Sequence, residues 1–145
     1  MKKLVILFVV LFNISFSQKS AGDESTVEPR YLIDIPTAGI LKRGSVAFDG
    51  NFFQDGGVMF GIYVGALEKL TMGVSYGGVG IIGKSPASMQ PLPGVMVKYR
   101  IIDESSAMPA IALGFDSQGK ETYIDTLERF TIKSRGIFIV GSKNY

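Results

Sequence analysis

The chain has 145 residues, a formal charge of +2 and no cysteine, histidine or tryptophan. Without His and Cys there is no Ser-His-Asp or Cys-His nucleophile system, no usual zinc, haem or iron–sulfur site, and no disulfide framework. A mean hydropathy of +0.27 with 18 glycines and 19 % charged residues is apolar for a soluble domain, and the length allows one domain at most.

Met1-Lys2-Lys3 is a short basic start. An apolar run from Leu4 to Phe12 follows, and Ser15-Phe16-Ser17 puts small residues where a signal peptidase reads. This predicts a secretory signal peptide over 1–17, cleaved after Ser17. A transmembrane anchor would need about 20 apolar residues, twice what is present. Loss of Lys2 and Lys3 leaves 13 basic residues against 13 acidic ones, so charge gives no case for a nucleic-acid partner.

Residues 18–44 read as a periplasmic lead-in. Gln18–Glu28 is polar and small, Pro29 and Pro36 bracket the apolar Tyr31–Ile35, and Thr37-Ala38-Gly39 is turn-like.

From Ser45 the pattern has period two, the strand signal. Val46, Phe48 and Phe52 alternate with Ala47, Asp49 and Asn51 in Ser45–Phe53. Val58, Phe60, Ile62 and Val64 alternate with Met59, Gly61, Tyr63 and Gly65 in Val58–Leu67. Met72, Val74 and Tyr76 alternate with Thr71, Gly73, Ser75 and Gly77 in Leu70–Gly77. Val95, Val97, Tyr99 and Ile101 oppose Met96, Lys98 and Arg100 in Gly94–Ile102. Ile111, Leu113 and Phe115 oppose Ala110, Ala112, Gly114 and Asp116 in Met108–Asp116. A sixth run covers Arg135–Lys143. The predicted fold is all-β: an antiparallel up-and-down meander of about six strands.

One face of these runs is bulky and apolar and the other is small or polar. A soluble sandwich would share that alternation. Two features favour lipid. The runs approach the 9–11 residues a tilted membrane strand needs. Phe52, Phe53, Tyr76, Tyr99, Phe115 and Tyr145 sit near run ends, as in the aromatic girdles of outer-membrane barrels. Loop length agrees. Glu68-Lys69 and Asp103–Ala107 are short and fall on one side of a meander, whereas the long Gly78–Pro93 and Ser117–Ser134 fall on the other with Gln54–Gly57. Short periplasmic turns and longer extracellular loops are the barrel habit. Residues 45–145 therefore read as a partial transmembrane β-barrel domain. Six strands fall short of the eight of the smallest such barrels, so further strands are expected from the Tyr31 region, from a C-terminal continuation or from other chains.

Three segments, Ile35–Ser45 (IPTAGILKRGS), Val74–Gly83 (VSYGGVGIIG) and Ala112–Gly119 (ALGFDSQG), resemble a family of poorly characterised bacterial outer-membrane β-barrel proteins. Ile132-Lys133-Ser134 and Ser142–Tyr145 (SKNY) follow at fitting distances. The resemblance covers about Tyr31 to Tyr145. It implies a Gram-negative outer-membrane location, a barrel fold and members longer than this chain, and it brings no catalytic residues or cofactor.

Gly78–Ser85 fits the phosphate-loop pattern G-x-x-x-x-G-K-[ST] and follows a strand. A phosphate loop must open a helix whose N-terminus faces the anion, but Pro86, Pro91 and Pro93 follow with no helical period. A glycine-rich hairpin loop is the expectation. Asp116, Glu121, Asp125 and Glu128 lie in or beside the longest loop without EF-hand spacing and read as solvated. Tyr123, Leu127 and Phe130 recur at i, i+4, i+7, which predicts a short amphipathic helix or a folded loop cap. Lys98, Arg100 and Asp116 fall on the polar face. In a barrel they point to the lumen, pairing internally or biasing solute passage. Gly73 and Gly77 leave the third run thin enough for a neighbour to approach closely.

The expected function is that of an outer-membrane β-barrel protein, or the N-terminal part of one, with a structural, transport or envelope-assembly role. No catalytic activity, cofactor or metal is expected, and lipid is the expected partner. The alternative is a soluble periplasmic or secreted all-β binding module whose apolar faces meet in a core.

Overall fold

Alternation of large and small side chains lets a strand present two unlike faces, and a meander of such strands sorts them into two unlike surfaces. The computed structural model describes residues 28–132 and 135–143. The expected signal peptide, most of the polar stretch that follows it, and Tyr145 lie outside the described residues.

In chain order the elements are β1 (Tyr31–Leu32), β2 (Ile35–Pro36), β3 (Val46–Phe53), β4 (Gly57–Leu67), β5 (Leu70–Val79), β6 (Ser88–Met89), β7 (Gly94–Ile102), β8 (Ala110–Asp116), β9 (Lys120–Ile124), β10 (Arg129–Ile132) and β11 (Gly136–Ser142). The main sheet runs β11-β8-β7-β5-β4-β3, with β6 paired to the end of β5 beyond the reach of β7. All its pairings are antiparallel between strands that follow one another along the path. This is the expected up-and-down meander of six strands. Each lies within about two residues of its alternating run.

The register lines up the bulky residues. Val46, Val64, Met72, Val97, Phe115 and Ile137 are partners in succession across all six strands. Phe48, Ile62, Val74 and Val95 form a second such row. These side chains are largely open: Phe48 is 75 % exposed and Ile137 79 %. Among the described residues no second layer covers them.

The opposite face carries Tyr63, Thr71, Ser75, Met96, Lys98, Arg100, Ala112 and Asp116, all buried. Two glycines make room there. A Cβ at Gly73 would overlap the Tyr63 ring, and one at Gly114 would overlap the ring of Phe138. Thin wall and bulky ring are cross-strand partners in both cases, Tyr63 with Gly73 and Phe138 with Gly114. The close approach expected at Gly73 is therefore made by an aromatic side chain of the adjoining strand.

What fills this face is chain rather than sheet. The described part of the lead-in, residues 28–41, lies against it, with Thr37, Ala38 and Ile40 buried. Ala38 packs with Ala110 and Ala112 of β8.

The loops obey the expected sidedness. Turn 54–56 and loop 80–87 meet: Gly80 N–H donates to Asp55 O, and the N–H groups of Ile81 and Ile82 donate to Gly56 O. On the other rim the short connections meet through a 2.6 Å ion pair between Lys69 and Asp103. Residues 120–132, expected as a helix or a loop cap, form a hairpin. In it β9 and β10 pair around a 3₁₀ turn at Asp125–Leu127. Tyr123 faces Phe130 across the hairpin with ring centroids 5.1 Å apart, edge to face. Phe130 is buried, and a Cβ on Gly119 would overlap its ring.

Candidate functional site

Lys98 and Arg100 stand two residues apart on β7, so both side chains leave the same face of the sheet. Both reach the segment that covers the polar face of the sheet. Lys98 is 0 % exposed. Its Nζ donates to Thr37 O at 3.1 Å and to Arg30 O at 3.3 Å, and lies 5.5 Å from the centre of the Tyr31 ring. Arg100 donates from Nε and Nη2 to Ala38 O at 3.1 and 2.9 Å, and from Nη1 to Glu28 Oε1 at 3.0 Å. A second Arg100–Glu28 contact completes a bidentate pair. Asp103 lies 4.0 Å from Arg100.

The segment is also held by its own N–H groups. Ala38 N–H donates to Ser142 Oγ at 2.9 Å and Leu41 N–H to Thr71 Oγ1 at 2.8 Å. Thr37 Oγ1 donates to Pro29 O, closing the segment on itself.

A second cluster lies nearer the long loops. Arg30 pairs with Asp49 of β3 at 2.6 Å and stacks 4.6 Å over the Tyr63 ring, with its buried Nη1 unpartnered among the described residues. Asp116 accepts from Gln118 N–H at 2.9 Å. Ser75 Oγ donates to Gln118 Oε1 at 2.5 Å. Gln118 Nε2 donates to Gln90 Oε1 at 2.9 Å, and Gln90 Nε2 to Gly119 O at 3.0 Å. Lys120 pairs with Asp34. Between these groups lies a cavity of about 410 Å³ bordered by Arg30, Asp49, Asn51, Tyr63, Asp116 and Lys120.

Lys98, Arg100 and Asp116 thus share one face, as expected, but serve two places. The cations clamp the segment, and Asp116 anchors the loop that follows β8. Sequence reading missed Arg30, Glu28, Thr37 and Asp49. Only Asp49 carried a signal, its place on the polar register of its run. Glu121, Asp125 and Glu128 do not gather with Asp116: among the described residues no group of three or more His, Cys, Asp or Glu side chains could hold a metal ion. In Gly78–Ser85 the backbone makes bends rather than opening a helix, and the N–H groups of Gly80, Ile81 and Ile82 already donate to the neighbouring turn.

On the short-loop rim, Lys69 and Asp103 shift each other. Their mutual hydrogen bond raises the Lys69 ammonium above its ordinary value and lowers the Asp103 carboxyl below its own.

Among the described residues no helix is long and apolar enough to cross a membrane, which says nothing about strands. Comparison with known proteins returned no matching family model, no matching curated protein and no matching solved structure.

Proposed function

We propose that this chain forms part of an outer-membrane β-barrel of a Gram-negative envelope, exported by its signal peptide. In this reading it has no catalytic activity and serves structure, solute passage or envelope assembly. The observation that carries the reading is the row of bulky apolar side chains running through all six strands, with polar and charged groups confined to the opposite face. Full burial of such a side chain is worth about 1.5–3 kcal/mol. Leaving these faces in water forgoes part of that gain on every one of the six strands. Hydrocarbon removes that loss. The aromatic residues Phe52, Phe60 and Tyr76 on the outward face toward the long loops suit a membrane boundary.

The sheet does not close among the described residues, since β3 and β11 are not paired to each other. In lipid each orphan backbone group of such an edge costs several kcal/mol. The proposed partners are therefore outer-membrane lipid on the apolar face and further antiparallel strands on the two edges, from a C-terminal continuation or from other chains.

Fractionation of an expressing Gram-negative host tests the reading. Recovery in the outer membrane, detergent-dependent extraction and heat-modifiable gel migration are the expected results. A monodisperse, detergent-free periplasmic protein would overturn it in favour of a soluble binding module.

A further inference from the structure

We propose that the Lys98–Arg100 pair is a binding site for a small oxyanion, occupied in this structure by the chain's own residues 28–41, which act as a displaceable internal plug. Calling the segment a plug rests on the barrel reading; the chemistry of the site needs only the polar face of the sheet.

The first ground is charge. Both hydrogen bonds from the buried Lys98 Nζ go to neutral carbonyl oxygens, those of Arg30 and Thr37. Arg100 spends Nε and Nη2 on one more carbonyl, that of Ala38, and among the described residues pairs with the carboxylates of Glu28, at hydrogen-bond distance, and Asp103, at 4.0 Å. Buried cations are stabilised far better by charged oxygens than by amide carbonyls. A guanidinium fork beside an ammonium is the donor set that planar or tetrahedral oxyanions suit. The carbonyl oxygens of 30, 37 and 38, with the Glu28 carboxylate, occupy the positions such an anion's oxygens would take.

The second ground is what holds the segment: polar anchors, the Arg30–Asp49 and Lys120–Asp34 ion pairs among them, rather than large buried apolar side chains. It buries mainly the small residues Thr37, Ala38 and Gly39 together with Ile40, while Leu32, Ile33 and Ile35 remain exposed, Ile33 at 97 %. Ile33 also has φ 57°, a left-handed conformation that a β-branched residue adopts only under strain. A segment with few buried apolar contacts and polar anchors opens at lower cost than the strands beneath it. When it leaves, the two cations lose the carbonyl oxygens and the Glu28 carboxylate, while Asp103 stays 4.0 Å from Arg100; an incoming anion takes the vacated positions, so anion and segment exclude each other.

The test uses Ala38→Cys in the full chain, which has no other cysteine. The protein is held folded in detergent, and maleimide labelling reads exposure of the segment. Inorganic phosphate is expected to raise the labelling rate saturably by fivefold or more, while sodium chloride at equal ionic strength does not. In the Lys98→Met, Arg100→Met double variant, labelling is expected to be fast without phosphate and insensitive to it. A rate unmoved by phosphate, an equal response to chloride, or a phosphate response that survives in the double variant would overturn the proposal. Should either variant fail to fold, amide exchange at Ala38 and Leu41 in the unaltered chain, with and without phosphate, gives the same reading. There phosphate is expected to speed both amides, and unchanged exchange counts against the site. Heat-modifiable migration of the same sample reports on the barrel separately.

Discussion

Gly73 shows how one missing side chain sets the interior. The Tyr63 ring lies where a Cβ would be, and Arg30 stacks on that ring, so the absence of a methyl group orders Gly73 of β5, Tyr63 of β4 and Arg30 just before β1. Gly73→Ala is expected to destabilise by about 1–3 kcal/mol, the cost of forcing a packed side chain aside. In a Tyr63→Ser background the same change should cost markedly less, and denaturant midpoints of the four variants read that coupling. At the opposite rim the Lys69–Asp103 pair sets a pH dependence. The lowered Asp103 carboxyl adds stability that is present above its unfolded value of about 4 and is lost as pH falls through the lower folded value. The raised Lys69 ammonium adds stability that is full below its unfolded value of about 10.4 and is lost as pH rises through the higher folded value. Both groups are open to solvent, so the effect is small. Asp103→Asn is expected to flatten both limbs of a stability–pH curve at low salt and to match the parent chain in 1 M salt, about a 3 Å screening length.

Among elements, the hairpin β9–β10 depends on the Tyr123–Phe130 pair and on the packing of Phe130 over Gly119. Phe130→Ala is expected to cost up to about 3 kcal/mol. The loss should be local: amide exchange should quicken across 120–132 while β4, β5 and β7 keep their protection. This element was half legible. Tyr123, Leu127 and Phe130 share a helical spacing, but seven residues also separate cross-strand partners flanking a tight turn, and Phe130 pairs with Tyr123. Apolar spacing cannot tell these apart when the run is short. The six long strands were legible because alternation held over eight or more residues and agreed with loop length. The packing of residues 28–41 was not. Its strands are two residues long, its anchors are backbone carbonyls that leave no trace in residue type, and the cations that hold it lie roughly 60 to 70 positions further along.

For the whole molecule, the two faces of the sheet should respond oppositely to the same charge. Ile62 lies mid-strand in the outward row between Phe48 and Val74, while Asn51 borders the interior cavity. Ile62→Arg is expected to weaken insertion into bilayers by about 2–4 kcal/mol, the depth-dependent cost of a cation on a lipid face, whereas Asn51→Lys leaves insertion nearly unchanged. Folding yield into vesicles measures both, and equal effects would count against a lipid-facing apolar surface. The long-loop end has a consequence of its own. Turn 54–56 is bonded to loop 80–87, and the buried Gln90 is bonded to the buried Gln118, so stretches far apart in sequence are held together at this end. An antibody raised against the folded protein at this end would see a composite epitope drawn from three loops. It should recognise intact protein and go blind on a blot of boiled chain, where no single peptide reproduces what it saw.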